Sequence, residues 1–149
     1  MRRVNGQWPG VALLLIERGA DVNVYFPGTV DTATPLATGA IVGDRAVVAA
    51  LIGKGADVNG AAGANETPLH AAIAESHEDV AELLIGAGAN VNARNKSQRT
   101  PLHYLARHVR SGGLAELLIA KGAEVGAKDD QGRTPAEVAR EAGNEVVGE

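Results

Sequence analysis

Two short phrases recur along this chain with a common period of about 33 residues, a length typical of repeat architectures. A Thr-Pro pair occurs four times at nearly constant spacing, beginning at Thr34, Thr67, Thr100 and Thr134. A second phrase, Gly-Ala-Asp-Val-Asn or a close variant, begins at Gly19, Gly55, Gly88 and Gly122. Two independent phrases that keep one period indicate a repeat array, because each copy of such a period folds as one supersecondary unit.

The unit that begins at Thr67 predicts two helices and a loop. Threonine is a good N-cap and proline fits the first helical position, so a first helix begins at this pair. A polar break at Ser76 and His77 separates it from a second helix, which Gly88 ends as a left-handed cap. The apolar positions have helical spacing and are Leu69, Ala72, Ile73, Val80, Leu83, Leu84 and Ile85. One unit cannot bury these side chains alone, so neighbouring units must stack.

The composition restricts the classes of protein to which this array can belong. With 149 residues, of which 45% are apolar and 21% charged, the chain has the composition of one globular domain. The net charge of −4 argues against a general affinity for nucleic acid or anionic membranes. The absence of cysteine excludes disulfides and a thiolate zinc site. Neither a signal peptide nor a membrane-spanning run is visible, so a cytoplasmic location is expected.

With these motifs the sequence resembles the ankyrin-repeat family. The phrases Thr67-Pro-Leu-His70 and Thr100-Pro-Leu-His103 match that family's helix-opening motif, and the Gly-Ala-Asp-Val-Asn phrases match its helix exit. The resemblance implies an all-α solenoid of stacked antiparallel helix pairs, with projecting loop fingers that resemble β-hairpins.

The resemblance also divides the chain, a single domain over residues 1–149, into units. The full repeats are at about 34–66, 67–99 and 100–133, with partial repeats at about 8–33 and 134–149. The first partial repeat supplies only a second helix, from Val11 to Arg18. The last supplies mostly a first helix, from Pro135 to Ala142.

The four histidines do not predict catalysis. His70 and His103 lie one repeat period apart, and the resemblance implies that each ties its helix start to neighbouring backbone. His77 is at the start of a second helix, whereas His108 falls in a lengthened turn, where it can contact a partner. No metal-binding or nucleophile motif occurs, so we expect no enzyme activity, no cofactor and no metal.

A window without acidic residues lies between Leu83 and Ala115, so nothing in that stretch neutralises its basic side chains. These are Arg94, Lys96, Arg99, Arg107 and Arg110. The resemblance implies that fingers and first helices form a concave surface, on which such residues would face an acidic partner protein. The candidate partner-binding residues there are Glu75, Arg94, Lys96, Arg99, Arg107, His108 and Arg133. The alternative is an ordinary solubilising surface. Nucleic acid is not expected, because the whole chain is acidic and the basic residues have no stacking aromatic beside them apart from Tyr104, which is expected to face the core.

Two further candidate residues, Tyr25 and Phe26, lie on the long first finger. Rigid aromatic side chains at a loop tip are typical binding anchors, but they can equally cover the open apolar end of the first unit. We therefore expect a monomeric protein–protein interaction module. The alternatives are a structural part of a longer repeat array and, as the least favoured, an enzyme built on the scaffold.

Overall fold

The computed structural model describes residues 8–24, 34–108 and 112–144. These residues form eight α-helices and contain no β-strand, so the predicted all-α class is confirmed. The helices are α1 (Trp8–Glu17), α2 (Pro35–Val42), α3 (Arg45–Gly53), α4 (Pro68–Ala74), α5 (Glu78–Gly86), α6 (Pro101–Leu105), α7 (Gly112–Ala120) and α8 (Pro135–Glu141). One 3₁₀ turn, Gly63–Asn65, lies between α3 and α4.

The helices pack in two rows. The first helices of the units, α2, α4, α6 and α8, contact one another in order, and so do the second helices, α1, α3, α5 and α7. The first helices have five to eight residues and pack closely, whereas the second helices have nine or ten and pack less closely. We call the surface formed by the first helices and the fingers the inner face.

Local chemistry sets the helix ends where the sequence predicts them. The Thr34 hydroxyl accepts a hydrogen bond from the Ala37 N–H at 3.1 Å, and Pro35 follows as the first helical residue. After α5, Gly88 has a φ of +96°, which side chains with a Cβ rarely adopt. The Gly88 N–H reaches the Ile85 carbonyl at 3.1 Å and satisfies one of the helix's last acceptors. The predicted left-handed cap is confirmed.

A continuous core of aliphatic side chains runs from α1 to α7, and a separate small cluster of Ala106, Val138 and Ala139 packs α8 against α6. The largest buried members of the continuous core are Leu36, Leu69, Ile73, Leu84, Leu105 and Leu118. Small residues such as Ala40, Ala72 and Ala81 are fully buried between them, so the helix axes can approach closely. A chain with few aromatic residues therefore builds its core from closely spaced thin helices.

The apolar side chains of α1 are more exposed than their counterparts in the middle of the stack. Leu15 and Leu84 both lie four residues before the glycine that follows a second helix, yet Leu15 is 54% exposed and Leu84 is 0% exposed. The difference arises because the described residues contain no first helix in the unit of α1 to cover Leu15. This helix also begins at Trp8, three residues before the predicted start at Val11.

Each described finger is a tight turn rather than a pair of strands. A backbone hydrogen bond spans the base of each turn, from Ala62 N–H to Glu66 C=O (2.7 Å), Asn95 N–H to Arg99 C=O (3.1 Å) and Asp129 N–H to Arg133 C=O (2.9 Å). The carbonyl of the first residue of each pair also accepts an N–H from within the turn. Neighbouring tips are joined by bonds from Lys96 N–H to Ala64 C=O (2.8 Å) and from Asp130 N–H to Ser97 C=O (2.9 Å). Each finger is therefore closed by backbone hydrogen bonds as a hairpin is, and neighbouring fingers are hydrogen-bonded to one another along the inner face.

Asparagines of the Gly-Ala-Asp-Val-Asn phrase join consecutive units just after their second helices. We call this the opposite side of the stack. The Asn92 amide donates to the Gly122 carbonyl at 2.9 Å and accepts from the Glu124 N–H at 2.8 Å. Asn23 and Asn59 bridge to the following units with the same two bonds. The repeated phrase thus fixes the offset between consecutive units, which decides which side chains meet on the inner face.

Candidate functional site

Two buried histidines tie the first helices to the fingers that follow them. The His103 Nδ1 accepts the Thr100 N–H at 3.1 Å, so the ring proton is on Nε2, which donates to the Arg133 carbonyl at 2.9 Å. His70 makes the same pair of bonds, to Thr67 at 3.2 Å and to the Arg99 carbonyl at 3.0 Å. Burial lowers the pKa of both imidazoles and keeps them neutral. The predicted structural role is confirmed.

Tyr104 packs against the hydrophobic core, as expected, but it is only half-buried and also lines a cavity at the inner face. Its half-buried ring packs edge-on against His70, with centroids 5.3 Å apart. Its hydroxyl donates a short hydrogen bond to the Glu66 carboxylate and accepts one from the Asn95 amide at 2.9 Å. Burial raises the pKa of Tyr104 to about 12, and the bond to Glu66 adds to the shift. This network joins the second and third fingers to α6.

A buried carboxylate, Asp129, organises the fourth finger and its charges. Its Oδ1 accepts the N–H groups of Gln131 (3.0 Å) and Arg133 (2.9 Å), and its Oδ2 accepts from the Arg133 guanidinium at 3.1 Å. Burial alone would raise the pKa of Asp129, but these hydrogen bonds outweigh it and the pKa is lowered. The Arg99 Nε lies 3.8 Å from the same Oδ2, and Arg133 also pairs with Glu141 at 2.8 Å. Asp129 therefore remains an anion between two guanidinium groups.

The inner face contains a cavity of about 200 Å³ between α6 and α8. Arg99, Arg107 and Arg133 line it together with Glu141, and Tyr104, Val138 and Ala142 provide less polar walls. We call this cavity the arginine pocket. Three of the predicted partner-binding residues are thus brought together at one place, although they lie on two fingers and a helix end.

Two of the basic residues have no charged partner among the described residues. Lys96 is exposed at the tip of the third finger and does not line the arginine pocket. Arg107 is exposed in the turn after α6 and lines it. Both positions are on the inner face, as the pattern of the repeat predicts.

Other basic residues of the window are paired with the following repeat, contrary to the expectation from the sequence. The Arg94 guanidinium donates to the Lys128 carbonyl at 2.9 Å and lies 3.8 Å from the Glu124 carboxylate. Arg99 approaches Asp129, as described above. The expectation that the window is not neutralised is therefore wrong for Arg94 and Arg99, because the stack places carboxylates of the next unit beside them.

The remaining candidates on the inner side lie at the ends of α4 and α6. Glu75 is exposed at the C-terminal end of α4. The His108 Nδ1 is 3.3 Å from the Ser76 hydroxyl of the preceding unit, and the His108 carbonyl accepts the Asn144 amide at 2.6 Å. His108 thus joins consecutive units as well as being a candidate contact. Tyr25, Phe26 and Arg110 lie outside the described residues.

Two acidic residues that matter at the arginine pocket were not predicted from the sequence. Asp129 contacts its arginines, and Glu141 lines it. Asp129 occupies the place in its finger that Asn95 occupies one unit earlier, because the Thr-Pro pair follows each of them at the same distance along the chain. The position of Asp129 in its finger could therefore have been predicted from the repeat period. Glu141 has no such counterpart, since the equivalent residue one unit earlier is Arg107.

The described ranges contain neither a metal-binding cluster nor a membrane-spanning helix. No group of three or more His, Asp or Glu side chains there is placed to hold a metal ion. No helix in residues 8–24, 34–108 or 112–144 is long and apolar enough to cross a bilayer.

The fold and the inner face define a class of protein, the helical repeat arrays that stack short helix pairs behind a row of loop fingers. The family model described as "Ankyrin repeats (3 copies)" matches residues 4–95 and 40–129, which together span most of the chain. The chain belongs to the ankyrin-repeat family. Ankyrin repeats are generally protein–protein interaction modules and are typically not catalytic. No curated protein matches the sequence.

Proposed function

We propose that this protein is a non-enzymatic interaction module that binds a partner protein through its inner face. The observation that carries the proposal is the arginine pocket, which is an open cavity on the surface where the fingers and first helices meet. Concave sites with a few convergent polar groups are the usual places for recognition. Glu75, Lys96 and His108 extend the proposed contact surface beyond the pocket.

The distribution of interactions supports the inner face over the opposite side. The asparagines of the opposite side are committed to bridges between repeats, so changing them would alter the scaffold itself. Lys96 and Arg107 have no charged partners among the described residues, which is also true of Lys54 and Lys121 at the turns after α3 and α7, but of these four residues Arg107 alone lines the cavity. Charges of this kind steer an acidic partner toward the surface and raise the association rate at low salt.

Affinity capture with matched charge-reversal variants tests this function. The first variant, Lys96→Glu/Arg107→Glu, changes the inner face. The control, Lys54→Glu/Lys121→Glu, reverses the same number of charges at the exposed turns after α3 and α7. Captured proteins are identified by mass spectrometry, and circular dichroism confirms that both variants are folded.

The proposal expects a protein captured by the wild type and the control that is lost from the inner-face variant. Its purified complex should also associate more slowly with the inner-face variant, and the difference should shrink as salt is added. A partner that binds both variants equally would place binding outside the inner face and refute the proposal.

A further inference from the structure

The three arginines of the arginine pocket differ in whether their guanidinium groups already donate hydrogen bonds within the protein. This difference indicates which kind of ligand the pocket binds. The Arg133 guanidinium is fully committed, because it donates to Asp129 and to Glu141. The terminal nitrogens of Arg99 donate to no described residue, and the whole Arg107 guanidinium is also without a partner among them. Glu141 in the lining and Asp129, which contacts Arg133 and approaches Arg99, balance two of the three positive charges, so one positive charge remains in excess.

The size of the cavity limits the occupant. Sites for drug-sized ligands and cofactors have volumes of roughly 300–1,000 Å³. The arginine pocket, at about 200 Å³, is below that range and suits one or two amino-acid side chains. Its walls include Val138, which is only 7% exposed, and the ring of Tyr104. They can cover the aliphatic stem of a side chain whose charged end reaches the arginines.

The protein itself shows how a carboxylate binds at this place. At the rim of the same cavity, the Glu141 carboxylate accepts the Arg133 Nη1 at 2.8 Å while its side chain remains 59% exposed. Guanidinium groups bind carboxylates through short, charge-assisted hydrogen bonds and often in pairs. Arg99 and Arg107 offer a second carboxylate the same chemistry.

We propose that the arginine pocket binds a glutamate or aspartate side chain of the partner protein, held by Arg107 and Arg99 against the Tyr104 and Val138 walls. The proposal rests on the proposed function, since it names the feature of the partner that the inner face recognises. Neutral polar and basic side chains are rejected, because they leave Arg107 desolvated without a counter-charge.

Selection from a displayed library of short random peptides provides the probe. The wild-type protein selects the peptides, and dissociation constants are then measured by fluorescence polarisation. Each selected peptide is compared with a version in which its shared acidic residue is replaced by the matching amide. Both are measured on the wild type, on Arg107→Gln and on the control Lys121→Gln. Arg107 is exposed and without a described partner, so its replacement is not expected to impair folding.

The expected result is a shared acidic residue in the selected peptides. Its replacement by the amide should weaken binding about tenfold on the wild type and on Lys121→Gln, as the loss of a charge-assisted hydrogen bond predicts. On Arg107→Gln the difference between the two peptides should fall from about tenfold to about threefold, since only Arg99 remains to distinguish the carboxylate from the amide.

Three results would overturn the inference. They are a failure to select any peptide, selected peptides without a shared acidic residue, and an effect of the amide replacement that is undiminished on Arg107→Gln. The Lys96→Glu/Arg107→Glu variant separates this inference from the proposed function. Peptides that lack an acidic residue but still lose binding to that variant refute the acidic specificity alone. Peptides that bind that variant as well as they bind the wild type refute the use of the inner face.

Discussion

Replacing Leu84 by alanine should test the stacking of the repeats. This side chain is 0% exposed in the middle of α5, and it belongs to the continuous core of the array. The substitution removes three carbon groups, and their transfer to water accounts for about 2.5 kcal/mol. The cavity that remains adds to this loss, so the free energy of unfolding should fall by roughly 3–5 kcal/mol. In a short array that unfolds cooperatively, a loss of this size affects the whole domain.

Leu15→Ala is the matched control, because Leu15 has the same place in its unit but is 54% exposed. Its cost should stay below about 1 kcal/mol, since most of the side chain is already in water. Urea denaturation followed by far-ultraviolet circular dichroism measures both values. A cost for Leu84→Ala below about 0.5 kcal/mol, or one equal to that of Leu15→Ala, would show that the predicted helix register is wrong.

Two further predictions concern titratable groups. Burial lowers the pKa of His103 in the folded protein, whereas an unfolded histidine titrates near 6.5. As the pH falls below about 6.5, the unfolded chain takes up this proton first, so the protein should be less stable at about pH 5 than at about pH 7. Urea denaturation at both pH values should show a smaller loss for His103→Gln, and an unchanged loss would contradict the assignment. The second prediction compares two arginines of the pocket. Arg133→Gln should lower the melting temperature, because it leaves the buried Asp129 carboxylate without its guanidinium, whereas Arg107→Gln should leave it nearly unchanged. Equal melting temperatures for the two variants would contradict the charge network.

The sequence predicts the helices of this fold well because its signals are local. A threonine before a proline begins a helix at Thr34, Thr67, Thr100 and Thr134, and the structure places a first helix after each. Glycine at a left-handed position ends the second helices, since other residues are strained there. The predicted bounds differ from the observed ones by only a few residues, as at α1 and α8.

The ion pairs of the inner face could not be predicted from local sequence signals. A search along the chain finds no acidic residue between Leu83 and Ala115, yet Asp129 and Glu124 approach Arg99 and Arg94 across the stack. Which side chains meet depends on the offset between units, which the asparagine bridges fix through bonds from one unit to the next. Such contacts are predictable from the repeat period once the offset is known.

Asp129 and Asn95 show how one substitution between equivalent positions changes the charge of the arginine pocket. The Asn95 Oδ1 accepts the N–H groups of Ser97 and Arg99 at 2.9 and 3.0 Å, which are the same two bonds that Asp129 Oδ1 makes in its own finger. Asp129→Asn should therefore keep the turn.

The substitution would also remove the anion that holds Arg133 and approaches Arg99. With one negative charge fewer, the pocket should bind an acidic peptide more tightly, and its affinity should depend more steeply on salt. The peptides selected on the wild type provide the measurement, and melting curves confirm that the variant is folded. Unchanged affinity in a folded Asp129→Asn variant would show that Asp129 does not limit the charge available to a partner, and the account of the pocket given above would then be wrong.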